Sequence, residues 1–79
     1  MHFDDCVDAQ GLACPMPLLK AKLALNQLPV GAVLKILATD AGSQRDLRSF
    51  ANLAGHQLLH EEVSEQQVFI YFIKKGAAA

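Results

Sequence analysis

Seventy-nine residues with 52% hydrophobic and 19% charged side chains describe one small globule with a shallow core, too apolar for a disordered chain and too short for a separate substrate domain. Seven Lys plus Arg against eight Asp plus Glu leave a net charge of -1, so direct nucleic-acid binding, which usually needs a basic face, is not expected. The opening MHFDDCVD is acidic where a secretory signal would be basic and then apolar, and no apolar run is long enough to span a membrane, so the expected location is the cytoplasm. In that compartment the two cysteines, Cys6 and Cys14, are read as reactive or buried thiols and not as a structural disulfide.

An extended segment around Phe3 to Asp8 comes first. CPMPLLKAKLALNQLP then sets Leu18, Ala21, Leu25 and Leu28 on one face at i, i+3, i+7 and i+10, which predicts a helix stopped by Pro29 and Gly31. AVLKILAT, apolar apart from Lys35, suits a covered strand. In SQRDLRSFANLAG, Ser43 stands as N-cap with Asp46 three residues on in a capping-box place; Leu47, Phe50, Ala51 and Ala54 share a face, and Gly55 is the stop. HQLLHEEV, the turn SEQQ and VFIYFIK supply two more strands.

The order β-α-β-α-β-β predicts an α/β (α+β) two-layer sandwich, a four-stranded mixed sheet with both helices on one face. Residues 1–79 form one domain, with 76–79 expected as a frayed tail. In the last strand Val68, Ile70 and Phe72 alternate with Phe69, Tyr71 and Ile73. One of these stripes faces away from the helices, as a partner patch, under loop cover or as tolerated exposure.

The stretch DAQGLACPMPLLKAKL puts a thiol at the mouth of the first helix. Prolines are tolerated in a first turn, where N–H groups have no intrahelical acceptor. Pro15 at the first helical position and Pro17 at the third would make Cys14 the cap residue. A thiolate there is favoured by the helix macrodipole, although the prolines remove two donors, so a modest pKa depression is expected. Where a redox C-x-x-C motif has its resolving cysteine, this chain has Pro17. An adduct on Cys14 would therefore wait for an outside thiol. Spacing alone leaves open the alternative that Cys14 is a small apolar filler.

The motif D-x-x-G-L-x-C-P-x-P, filled by Asp8, Gly11, Leu12, Cys14, Pro15 and Pro17, resembles the signature of the TusA/SirA family of sulfur-carrier proteins. The likeness extends from Val7 to Gly76 through the Pro-Val-Gly turn, ATD, the Arg45-Asp46 pair, AGH and the closing KKG. Ala41 stands where that family commonly has proline. The resemblance implies a sulfur carrier with sulfurtransferase chemistry. Cys14 would accept sulfane sulfur as a persulfide from a cysteine desulfurase and pass it to an acceptor sulfurtransferase protein, in tRNA 2-thiolation or related sulfur trafficking. No tightly bound cofactor or metal is needed, and a monomer is expected. Only Cys14 carries over as a catalytic residue; Gly11 and Leu12 match as shape.

The other chemistry-bearing residues have plainer readings. Cys6 is taken as structural filler, and Cys6, Cys14 and a histidine have no recognised metal-ligand spacing. His56 and His60 are surface or strand-edge residues unless folded near Cys14. Lys20 and Lys22 are solvated charges that could steer an acidic partner, and Leu19 and Leu23 lie off the core stripe, against the second helix or a partner. Two rival functions remain: a non-catalytic interaction or regulatory module in which Cys14 is incidental, and a thiol redox sensor.

Overall fold

The structure, a computed structural model, describes residues 1–77. Its elements are β1 (Asp5–Ala9), α1 (Met16–Asn26), β2 (Val33–Ala38), α2 (Ser43–Ala54), β3 (Gln57–Val63) and β4 (Phe69–Lys74). The sheet order is β1-β2-β4-β3, with β1 parallel to β2 and the other two pairings antiparallel. The expected α+β sandwich is thus present, with a mixed sheet set by two crossovers, through α1 and through α2, and one closing hairpin that lays β4 between β2 and β3.

Alternation along the strands decides which face meets the helices. Leu34, Ile36 and Ala38 of β2 and Tyr71 and Ile73 of β4 are buried against Ala21 and Leu25 of α1 and Leu47 of α2. Each fully buried Leu or Ile here contributes about 1.5–3 kcal/mol relative to exposure. Ile70 and Phe72 therefore point away from the helices, and Phe72, only 5% exposed, is covered by the N-terminal segment and by side chains of the neighbouring strands. The Phe3 ring lies 6.2 Å from it, the His60 ring 6.1 Å, and Lys35 Nζ sits 5.1 Å from the Phe3 centroid and 5.8 Å from that of Phe72.

Both helix starts differ from expectation. The first intrahelical bond of α1 runs from Leu19 N–H to Pro15 O at 3.0 Å, so Pro15 is the cap and Cys14 lies one residue outside the helix. The Cys14–Pro15 peptide is cis. Pro17 is more than a φ restraint, because its ring is fully buried. Gly42 caps α2; Ser43 instead turns its hydroxyl into the core, 2.8 Å from the Tyr71 hydroxyl. A buried phenol needs a partner, and that demand outranks capping. Helix α1 ends at Asn26, ahead of Pro29, as the Gln27 and Leu28 amides turn back to the Ala24 and Leu25 carbonyls.

Gly55 ends α2 as expected, in the left-handed region at φ 78°. Beside it, the Gly76 N–H donates to His56 Nδ1 at 3.1 Å, and a Cβ on Gly76 would collide with the Gly55 carbonyl oxygen. Gly76, the first residue of the expected tail, is thus tied to the body; residues 78–79 lie outside the described residues.

Candidate functional site

In a sheet with parallel strands, the loops beyond the carboxyl ends of those strands are brought together. Here they are residues 10–15 after β1 and 39–42 after β2, with the start of α2 beyond. The two loops are stitched by the Gly11 N–H, which donates to Thr39 Oγ1 at 2.9 Å; Gly11 itself has φ 81°. The Leu12 N–H returns to Ala9 O at 3.3 Å and the Met16 N–H to Ala13 O at 2.9 Å, so the chain turns twice before α1 begins. Cys14 is carried between these turns, exposed.

Its partner is Asp46. The Cys14 thiol donates to Asp46 Oδ2 at 2.6 Å, across from one helix entrance to the other. The second carboxylate oxygen, Oδ1, lies 3.8 Å from Arg45 Nε. Asp40 closes the site from the loop after β2; its Oδ2 is buried without a hydrogen-bond partner. Gly42 permits this crowding, since a Cβ there would stand 2.9 Å from Asp40 Oδ2 and 3.8 Å from Cys14 Cβ.

These neighbours invert the expected electrostatics. The Cys14 pKa is raised, first because the proton is shared with Asp46, then through desolvation and through the charges of Asp46 and Asp40; Arg45 opposes them. The macrodipole argument fails because Cys14 is outside the helix and two nearby carboxylates outweigh the dipole. The hydrogen bond and the carboxylate charges favour the protonated thiol.

Next to it a groove of about 470 Å³ runs between α1 and α2, lined by Leu18, Lys22, Asp46, Phe50, Leu53 and Ala54. Leu53 is 82% exposed, and Met16, Leu19 and Leu23 are also uncovered. Leu19 and Leu23 thus stand exposed, off the core stripe of α1. Lys22 stretches over the Phe50 ring with Nζ at 6.0 Å, while Lys20 is solvated.

The remaining sequence candidates lie elsewhere. Cys6 is not buried filler: it is exposed on β1, in register with Lys35 on the face away from the helices. His60 belongs to that same face. His56 packs against Phe50, ring centroids 5.2 Å apart and tilted, and is held at the far end of α2 from Cys14. No group of three or more His, Cys, Asp or Glu suited to a metal ion occurs among the described residues. Sequence reasoning missed Asp46 and Asp40 as neighbours of Cys14. The available signal was topological, because β1 and β2 had to run parallel and their following loops had to meet.

An exposed cysteine between a glycine turn and a buried proline, on a β-α-β-α-β-β sandwich, defines a small thiol-bearing α+β domain of the SirA-like kind. A crystal structure of a SirA-like protein from Desulfitobacterium hafniense superposes with a TM-score of 0.83 at 30% identity, over 92% of this chain and 99% of the other. The family model described as Sulfurtransferase TusA matches residues 6–75, and the chain belongs to that family. It is 45% identical over 74 residues to the sulfur carrier protein TusA of Allochromatium vinosum, covering 94% of this chain and 96% of that one. It is 46% identical over 70 residues to YrkF of Bacillus subtilis, covering 89% of this chain and 37% of that protein. No helix is long and apolar enough to cross a membrane among the described residues.

Proposed function

We propose that this protein is a cytoplasmic sulfur carrier that accepts sulfane sulfur on Cys14 from a cysteine desulfurase and relays it to the thiol of an acceptor sulfurtransferase protein, in tRNA 2-thiolation or a related sulfur pathway. The observation that carries the reading is the placement of Cys14. It is exposed and hydrogen-bonded to Asp46, which lines an open apolar groove, and Cys6 faces away on the opposite side of the sheet. A persulfide on Cys14 therefore meets no internal thiol and persists until a partner brings one. The groove gives donor and acceptor in turn an apolar surface beside the sulfur, with Lys22 at its edge. A redox sensor is the weaker fit, since oxidant sensing favours a low-pKa thiolate and the carboxylates push this thiol the other way.

Incubation with a cysteine desulfurase and cysteine, followed by intact mass before and after reductant, tests the reading. One or more reducible sulfur atoms should appear on the wild type and on Cys6→Ser, and none on a folded Cys14→Ser. A desulfurase that binds the wild type yet leaves no reducible sulfur would overturn it, as would sulfur carried on Cys6.

A further inference from the structure

We propose that Asp46 is the proton carrier of sulfur transfer, taking the proton from Cys14 Sγ as Cys14 attacks the donor persulfide and passing it to the donor thiolate that leaves. The role rests on the sulfur-carrier reading above. It starts from a geometry that neither a structural cap nor a surface charge requires: the thiol points at Oδ2 at 2.6 Å, while Oδ1 is the oxygen nearer Arg45, 3.8 Å away. Both residues open α2, so the carboxylate is fixed by a helix that is itself pinned to the sheet through Ser43 and Tyr71.

In loading, the bond between Cys14 Sγ and the outer sulfur forms while the bond between that sulfur and the donor cysteine breaks. Cys14 sulfur is oxidised by one level at each such exchange, the donor cysteine sulfur is reduced by one, and no outside oxidant is consumed. At neutral pH the donor persulfide is an anion, so the proton that starts on Cys14 ends on the donor cysteine. Asp46 bridges those two positions. A carboxylate is a far weaker base than a thiolate, so it does not ionise Cys14 in advance; the proton crosses as Sγ gives up its charge to the new bond. Delivery to the acceptor runs the same path in reverse. The charged groups about Sγ are Asp46 and Arg45 on α2 and Asp40 in the loop after β2. The lysines of α1, Lys20 and Lys22, are exposed, the latter turned over Phe50.

Asp46→Asn, with Asp46→Ser as a second variant in case the first fails to fold, separates this role from its rivals. Two rates are read on folded protein: alkylation of Cys14 by iodoacetamide across pH, and single-turnover persulfide loading at saturating cysteine desulfurase. Removing the carboxylate frees the thiolate, so the alkylation midpoint should move to lower pH and neutral-pH labelling should quicken. Loading at saturation should nevertheless slow by about 100-fold, the low end of what a positioned acid–base group contributes. The two rates moving in opposite directions is the signature. Loading that quickens along with alkylation, or stays unchanged, would overturn the role and leave Asp46 as a restraint on the thiol. A higher half-saturating desulfurase concentration with an unchanged plateau would make Asp46 a docking residue and also overturn it. A wild type that never loads would overturn the carrier reading itself, and this role with it.

Discussion

Replacing Ser43 by alanine perturbs the place where the site is tied to the core. Ser43 is 2% exposed and Tyr71 1% exposed, and their hydroxyls meet at 2.8 Å. Ser43→Ala leaves the phenol O–H buried without this partner, which costs about 1–3 kcal/mol, more than the net worth of one hydrogen bond. Tyr71→Phe leaves the serine hydroxyl in the same position at a comparable cost of about 1–2 kcal/mol. In the double variant neither polar group remains, so its loss should be near that of one single variant, a coupling of about 1–2 kcal/mol. For a domain of this size each kcal/mol moves Tm by about 4–8 °C, well within reach of calorimetry or circular dichroism. Single variants whose losses add to within about 0.5 kcal/mol would refute the reasoning. The pair also has a pH consequence. Burial raises the Tyr71 pKa from an ordinary value of 10.0, so the folded state holds the proton more tightly than the unfolded one. This contribution is complete below the unfolded value and is lost as pH rises through the folded value. Because Cys14 is shifted upward too, the alkaline loss is best compared between Cys14→Ser and Cys14→Ser/Tyr71→Phe; the second should be flatter.

His56 gives the opposite slope. Burial, and secondarily the Lys75 charge, lower its pKa from 6.5, so stability is complete above the unfolded value and lost as pH falls through the folded one; melting between neutral and mildly acidic pH should show this, and His56→Gln should flatten it. Gly76→Ala should cost about 1–3 kcal/mol by forcing β4 away from the end of α2, while the alkylation rate of Cys14, at the other end of α2, stays unchanged. Pro17→Ala removes two buried methylenes and should cost about 2 kcal/mol by urea unfolding; a loss below about 0.5 kcal/mol would show that only the φ restraint mattered.

Periodicity carried the fold well. The face of α1 built on Ala21 and Leu25, that of α2 on Leu47 and Ala51, and the alternation in β4 were legible because burial acts on every turn and every second residue. The place of Cys14 was legible too, from prolines and glycine. Its chemistry was not. Whether Ser43 and Asp46 serve their own helix or something distant depends on what stands opposite them, and Tyr71 and Cys14 are respectively 28 and 32 residues away. A local rule names a cap wherever one would fit; only the third dimension shows that a buried phenol and a thiol have the stronger claim. Cys6 failed for a related reason. A strand residue is covered or open according to its parity, and the register with Lys35 puts Cys6 on the open side.

The parallel pairing of β1 and β2 also governs how the chain can be joined to others. Cys14 and Asp46 gather beyond Ala9 and Ala38, whereas Asp4 and Lys75 bond to Val33 and Ala32, at the opposite end of the same strand. Six residues of strand, about 20 Å, separate the thiol's end from the end where Asp4 and Lys75 are held. A domain wired this way can be spliced into a larger polypeptide, through either terminus, with its sulfur-bearing pole still facing outward. YrkF, of which this chain matches little more than a third, is a natural instance of such a longer chain, and a tag or enzyme fused after Ala77 should leave Cys14 as accessible as it is in the free domain.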